Sequence, residues 1–171
     1  YNPLQETLFK RIWKLPPGHY LKVSLADQSI IEKKYWAFEF HEQKNVSERL
    51  AAEQLFKTMR DSVRAHMIAD VPVGAFLSGG IDSAVIVGLM SKESKQKINT
   101  FTVRFDQVSE ASEAQLVADY FNTNHTEINV TQDMFLKAVP SMMWHMDEPV
   151  ADPSAVGLFY LAQAARRKVK V

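Results

Sequence analysis

The segment VGAFLSGGIDS (Val73–Ser83) places two adjacent glycines between an apolar run that ends at Leu77 and a second apolar run at residues 84–90. This order predicts a strand, a tight turn and the start of a helix. Glycines leave backbone N–H groups uncovered at a helix N-terminus, where the helix dipole also favours negative charge. The turn is therefore predicted to bind an anion such as phosphate, with the hydroxyls of Ser78 and Ser83 as further donors.

Asp82 adds a negative charge to this turn, and a carboxylate repels phosphate unless a cation lies between them. A hard divalent ion, Mg²⁺, fits that position best. The alternative is that Gly79 and Gly80 only turn the chain and that Asp82 or Ser83 caps the helix. The segment has neither the Gly-x4-Gly-Lys-Ser/Thr nor the Gly-x-Gly-x-x-Gly spacing of two better-known phosphate loops.

The turn resembles the SGGxDS loop of the ATP pyrophosphatases, and three further blocks narrow the resemblance to the asparagine synthetase family. They are KLPPGHY (Lys14–Tyr20), FTVRF (Phe101–Phe105) and DEPVADPS (Asp147–Ser154). The four blocks cover nearly the whole chain in the family's order. The resemblance implies an α/β fold of the adenine nucleotide alpha hydrolase type, in which a parallel sheet carries helices on both faces.

The resemblance also implies a binding mode for ATP and Mg²⁺. The phosphates would contact the turn, the main chain of two strand residues would hold adenine, and a carboxylate would hold Mg²⁺. The cofactor-binding residues are expected to be Leu77, Ser78, Gly79, Gly80, Asp82, Ser83 and Val103, with Asp82 as metal ligand and Asp82 and Ser78 acting in catalysis. Leu77 and Val103 are also expected to be buried in parallel strands, and the two roles are compatible.

The reaction implied by the resemblance is that of a ligase. ATP activates aspartate as an acyl-adenylate with release of pyrophosphate, and glutamine-derived ammonia converts it to asparagine. One alternative is a relative acting on another carboxylate, such as a β-lactam synthetase, a lasso-peptide cyclase or a polysaccharide-pathway amidotransferase. Another is a noncatalytic nucleotide-binding or regulatory domain, which an intact Asp82 argues against.

Residue patterning predicts where the structural elements lie. Residues 1–40 read as a β-hairpin with turns at Pro16–Gly18 and Ala26–Gln28. A helix with an apolar face follows from Ser47 and is expected to cover the sheet. Alternating strands and helices then predict a parallel sheet, with ligands bound beyond the carboxyl ends of its strands. The predicted domains are residues 1–43, the end of a glutaminase domain, and residues 44–171, the first part of the synthetase domain.

The composition excludes several function classes. Lys and Arg total 20 and Asp and Glu total 20, so no net field attracts nucleic acid or an anionic membrane. There is no apolar run of about 20 residues, and a cytoplasmic location is expected. The lack of cysteine excludes disulfides and thiolate chemistry. The chain is expected to be an internal segment of a longer protein. It is expected to be inactive alone, because the family's later acidic loop and catalytic lysine would follow Val171. The full-length protein could form a homodimer.

Five other features carry weaker predictions. Ser109-Glu110 keeps half of an acidic pair found in the family, and His125 precedes Glu127 in a family pattern where we expect a structural role. A cluster of acidic residues and a histidine could bind metal, line the substrate pocket or cap a helix, and its members are His145, Asp147, Glu148 and Asp152. Pro140 is expected to break or kink a methionine-rich helix, and Ser154 is expected to be the N-cap of the last one.

Overall fold

The computed structural model of the protein describes residues 5–42, 46–105 and 111–171. The chain divides into two compact units, Tyr1–Val46 and Ser47–Val171. The predicted domain ranges, 1–43 and 44–171, and the assignment of the first to a glutaminase domain remain predictions.

The first unit contains the predicted β-hairpin. Strand β1 (His19–Val23) pairs antiparallel with β2 (Ile30–Lys34). In the connecting turn, Asp27 Oδ1 accepts hydrogen bonds from the N–H (3.2 Å) and the hydroxyl (2.9 Å) of Ser29. Hydrogen bonds from Ser24 and Ser29 lower the pKa of Asp27 to about 2. The predicted turn at Ala26–Gln28 is confirmed.

Gly18 forms the other predicted turn, just before β1. The His19 N–H donates to the Pro16 carbonyl (3.2 Å), and Gly18 adopts a φ of 71°. A Cβ at this position would lie 2.2 Å from the Trp36 carbonyl oxygen, so only glycine fits both the angle and the space.

The second unit is built around a parallel sheet. Its strands, in spatial order, are β3 (Gly74–Phe76), β4 (Asn99–Phe105) and β5 (Asn124–Val130). Its helices are α1 (Glu48–His66), α2 (Ile81–Glu93), α3 (Ala111–Tyr120), α4 (Gln132–Met146) and α5 (Ser154–Ala165). The predicted alternation of parallel strands and helices is confirmed.

Helices cover both faces of this sheet, as predicted. On one face α2 and α3 pack around Ala75 through a buried cluster of Leu77, Val87, Ala114 and Ala118. On the other face α5 packs through Phe101, Ala165 and Val169. The register explains which residues face which helices. Ala75 lies beside Thr100 and Phe76 lies beside Phe101, and successive side chains alternate between the two faces of the sheet.

The prediction that α1 covers the sheet is wrong. Ser47 caps the helix by accepting a hydrogen bond from the Leu50 N–H (3.3 Å), but no residue of α1 is buried. The helix packs beside α2, and Arg64 donates two hydrogen bonds to the carboxylate of Glu93 (2.9 and 3.0 Å). Its apolar residue Leu55 is 61% exposed. Periodicity identified the apolar stripe but could not identify the element that contacts it.

Helix α4 continues through Pro140, so the proline does not break the helix. Pro140 and Leu136, one turn earlier, are both exposed, so solvent can bond the carbonyl that proline leaves without a donor. Buried Ala138 and Met142 hold the helix against Val156 of α5. The expectation that the methionine-rich run packs in the core is confirmed for these positions.

The start of α5 also differs from expectation. Pro153 is the N-cap, and Ser154 is the first helical residue. Asp152 supplies the capping contact, because its Oδ1 accepts hydrogen bonds from the Ser154 N–H (2.9 Å) and hydroxyl (2.7 Å). After α5, the Val171 carbonyl accepts a hydrogen bond from the Gly74 N–H (2.8 Å) beside β3, although these last residues are not a strand.

Candidate functional site

The predicted anion-binding turn follows β3 directly. Gly80 is the N-cap of α2, with φ −79° and ψ 152°. The Ser83 hydroxyl oxygen accepts a hydrogen bond from the Ser78 N–H (3.1 Å) and lies 2.9 Å from the Ser78 hydroxyl and 3.1 Å from the Gly80 carbonyl oxygen. A side chain of α2 thus holds the turn that precedes the helix. Such a preformed turn binds a ligand at a lower cost in ordering.

The turn offers backbone donors to a ligand. The Gly80 N–H donates to the Ser78 hydroxyl (3.2 Å). The N–H groups of Gly79, Ile81 and Asp82 have no acceptor among the described residues, as expected at the start of a helix. The free N–H donors are therefore those of Gly79 and of the first residues of α2, whereas the Gly80 N–H is already bonded within the turn.

Glycine is needed at position 80 because space is limited there, not because the backbone angle requires it. Its φ is in the ordinary region, and Gly18 is the described glycine with a positive φ. A Cβ on Gly80 would lie 3.3 Å from the Ser78 hydroxyl oxygen, closer than most such contacts. Glycine therefore leaves room for the Ser78–Gly80 hydrogen bond.

Asp82 is the second residue of α2, and its side chain is exposed. Its carboxylate makes no hydrogen bond or ion pair with the residues that the structure describes. Mg²⁺ bound to a nucleotide commonly takes one or two protein carboxylates, with phosphate oxygens and water completing its shell. An exposed, unpaired carboxylate beside free N–H groups therefore fits Mg²⁺ held together with a phosphate chain.

The two positions predicted to hold adenine lie at the carboxyl ends of neighbouring strands. Leu77 is buried, and its N–H donates to the Phe101 carbonyl (2.8 Å) while its own carbonyl accepts a hydrogen bond from the Thr102 hydroxyl. Val103 lies on β4 past the end of β3, since Phe76 is the last residue of β3 and pairs with Phe101. Its main chain therefore lies at the same edge of the sheet as the turn.

Two residues near this edge were not singled out from the sequence. Thr102 is buried and contacts the carbonyl that leads into the turn. Arg104, two residues further along β4, forms an ion pair with Glu127 of β5 (3.3 Å). The one available signal was the hydroxyl of Thr102 inside an apolar strand, since a buried hydroxyl must find a hydrogen-bond partner.

His125 is half-buried near the start of β5, away from the turn. Its Nδ1 is 2.9 Å from the Thr100 hydroxyl, and its buried Nε2 has no hydrogen-bond partner among the described residues. Burial lowers the pKa of His125, although the nearby carboxylates of Glu127 and Asp119 act to raise it. These contacts agree with the expected structural role.

We predict that His125 makes the second unit sensitive to acid. A histidine whose pKa is lower in the folded than in the unfolded state stabilises the fold fully above the unfolded value of about 6.5. That contribution is lost as the pH falls from about 6.5 through the lowered folded pKa. His125→Gln should therefore flatten the pH dependence of the urea midpoint between about pH 7.5 and 5, measured by the helical circular dichroism signal.

The control for this prediction is His41→Gln, which removes an exposed histidine of the first unit. This variant should keep the pH dependence of the unaltered protein. Equal slopes for the His125→Gln variant and the unaltered protein would contradict the assignment to His125.

Two members of the acidic cluster, Asp147 and Asp152, lie at helix ends. Among the described residues, no group of three or more His, Asp or Glu side chains is arranged to hold a metal ion. Asp147 ends α4 with a φ of 60°, and Asp152 bonds to Ser154, whose hydrogen bonds lower the pKa of Asp152. Glu110 and Ser109 lie outside the described residues.

The first turn of α5 lies beside the carboxyl end of β4, the strand that carries Val103. A Cβ on Gly157, in the first turn of α5, would lie 3.3 Å from Val103 Cγ1 and 3.2 Å from Phe105 Cζ. The start of α5 therefore lies beside the carboxyl end of β4, and the lining of a substrate pocket by the preceding DEPVADPS block stays a prediction.

Sequence comparison relates the chain to known proteins. Residues 54–171 match the family model described as asparagine synthase. A Mycobacterium tuberculosis protein assigned as a glutamine-hydrolysing asparagine synthetase is 36% identical over 175 residues, covering 100% of this chain and 27% of its own length. Asparagine synthetase 1 of Bacillus subtilis, also glutamine-hydrolysing, is 34% identical over 173 residues with the same two coverages, 100% and 27%.

Among solved structures, the NH3-dependent NAD synthetase from Campylobacter jejuni superposes with a TM-score of 0.46 and 16% identity, over 68% of this chain and 52% of that chain. The chain spans about a quarter (27%) of the length of the curated relatives it matches. In the part of the chain that the structure describes, no helix combines the length and apolar character needed to cross a membrane.

Proposed function

The chain belongs to the asparagine synthase family, and on that premise we propose that the complete protein is an ATP-dependent ligase that converts aspartate to asparagine. The observation that carries the proposal is the turn at Ser78–Ser83, which combines free N–H groups with an unpaired carboxylate at the start of α2. The two features suit a phosphate chain with its Mg²⁺. A noncatalytic domain would have little need for that carboxylate.

In the proposed reaction, a carboxylate oxygen of aspartate attacks the α-phosphorus of ATP. The bond from that phosphorus to the bridging oxygen breaks, pyrophosphate leaves, and an acyl-adenylate forms. Ammonia then attacks the acyl carbon, the carbon–oxygen bond to AMP breaks, and asparagine forms after the nitrogen loses a proton.

The residues of the turn act mainly by electrostatics in this proposal. Negative charge builds up on the departing pyrophosphate, and donors that are already oriented stabilise it without reorganising. The N–H groups of Gly79, Ile81 and Asp82 and the hydroxyl of Ser78 are the donors we assign to that charge. Asp82 would hold Mg²⁺, which when bound supplies positive charge to the phosphate oxygens.

The adenine base is assigned to the main chain of Leu77 and Val103. Both lie at the carboxyl edge of the sheet, which is where open α/β sheets bind their ligands. The hydroxyl of Ser83 is assigned to the turn itself, because its contacts are with Ser78 and Gly80.

Ammonia is proposed to come from glutamine, through a glutaminase domain that ends within the first unit. The support is the KLPPGHY block at Lys14–Tyr20 and the glutamine-hydrolysing activity in the relatives' names. We further propose a cytoplasmic protein that acts on small molecules, without a nucleic-acid or membrane partner, and that forms a homodimer at full length.

The test of the proposed function is pyrophosphate release by the complete protein with ATP, Mg²⁺ and ammonia, across aspartate and a panel of other carboxylates. We expect release that depends on aspartate, with asparagine formed in equal amount. Release with a different carboxylate would assign the protein to the alternative class of amidotransferases or cyclases. No release with any carboxylate would contradict the ligase proposal and favour a binding or regulatory domain.

A further inference from the structure

The hydrogen bonds between β3 and β4 change type at the point where the turn begins. The Leu77 N–H donates to the Phe101 carbonyl, as a regular parallel ladder requires. The next bond of such a ladder would run from the Val103 N–H to the Leu77 carbonyl. Among the described residues that bond is not formed, and the Leu77 carbonyl accepts from the Thr102 hydroxyl instead.

This exchange leaves the Val103 N–H without its ladder partner on the β3 side among the described residues. Hydrogen-bonding direction alternates along a strand, so Val103 directs its N–H and carbonyl to the same side as Phe101, toward β3. Because β3 ends at Phe76, no strand residue covers that side of Val103. A base with one acceptor and one donor along its edge could bond to these two groups.

We propose that Thr102 is a positioning residue whose hydroxyl holds the Leu77 carbonyl and thereby leaves the Val103 main chain free for the nucleotide base. The proposal rests on the proposed function, because it deepens the assignment of the adenine contacts. Without the hydroxyl, the Val103 N–H can close the regular ladder bond to Leu77 and is lost to the base. The alternative is that Thr102 only satisfies its own buried hydroxyl.

The chain offers a matched control at Thr100. Thr100 and Thr102 lie on β4, point to the same face and are 0% and 3% exposed. The Thr100 hydroxyl contacts Thr123 (2.8 Å) and His125 (2.9 Å), at the end of β4 away from the turn. Thr100→Val and Thr102→Val therefore remove the same group from buried positions on one strand, but only Thr102 contacts Leu77, the residue that leads into the turn.

The experiment measures KM for ATP, kcat and the preference for ATP over GTP in the complete protein. Thr102→Val should raise KM for ATP about three- to tenfold, the factor expected from the loss of one hydrogen bond to the base, and kcat should stay within about twofold. The preference for ATP should fall by a similar factor. Thr102→Ser keeps a hydroxyl and should restore both quantities, and Thr100→Val should leave both within about twofold.

Two results would overturn the proposal: an unchanged KM and base preference in Thr102→Val, or an equal change in Thr100→Val. If the unaltered protein releases no pyrophosphate, the proposed function fails instead, and ATP binding by equilibrium dialysis then tests Thr102 in the same variants. If Thr102→Val does not fold, amide exchange of the unaltered protein decides. The Val103 N–H should exchange freely without nucleotide and become protected with ATP, and protection without nucleotide would contradict the proposal.

Discussion

Asp82→Asn should reduce ATP-dependent pyrophosphate release by the complete protein at least about 100-fold, because the variant removes the carboxylate assigned to Mg²⁺ at the phosphate chain. The substitution keeps the shape of the side chain and removes its charge. Asp82 is exposed and unpaired among the described residues, so the fold should lose little. A first-turn carboxylate stabilises a helix by about 0.3–1 kcal/mol, and the free energy of unfolding should fall by no more than that.

The control is Asp133→Asn, because Asp133 occupies the same position in α4 that Asp82 occupies in α2. It is also exposed, and it forms an ion pair with Lys137 (2.6 Å) on the surface. Both substitutions should cost similar stability, but Asp133→Asn should leave pyrophosphate release within about twofold. Unchanged release in the Asp82→Asn variant would show that Asp82 only caps its helix, and the metal assignment would be wrong.

The sequence carried enough information to predict the order of the sheet and helices, because that information is local. Gly79 and Gly80 separate two apolar runs, and each run has a length and period typical of its element. The contact of α1 was not predictable, since an apolar stripe can pack on a helix or on a sheet. Helix α4 can continue past Pro140 because Leu136 is exposed and solvent can bond its carbonyl, and sequence periodicity does not report that exposure.

The same distinction between local information and contacts set by packing applies to the candidate site. The position of the turn at the carboxyl edge of the sheet followed from strand order alone. The hydrogen bonds within it did not, because Ser83 reaches back five residues to Ser78 and Thr102 reaches across to Leu77. Such contacts depend on side-chain directions that are fixed only when α2 and β4 are in place. The sequence could therefore predict a candidate ligand-binding turn but not which of its residues hold the turn in place.

Phe101→Ala should destabilise the 171-residue chain by about 3–5 kcal/mol, the cost of removing a phenylalanine from a packed core. Phe101 is 1% exposed at the centre of the sheet, and it packs against Ala165 and Val169. The lost ring would leave a cavity between β4 and α5 that these small neighbours cannot fill. The measurement is the urea midpoint followed by circular dichroism, with the free energy obtained from the slope of the transition.

Phe76→Ala is the matched control, because Phe76 lies beside Phe101 in the register and points to the same face. Phe76 is 43% exposed, so folding buries less of its apolar area than that of Phe101, and its removal should cost only about 1 kcal/mol. The difference between the two variants measures how strongly α5 is held on the sheet at Phe101. Similar costs for both would mean that α5 contributes little there, and the packing described for that face of the sheet would need revision.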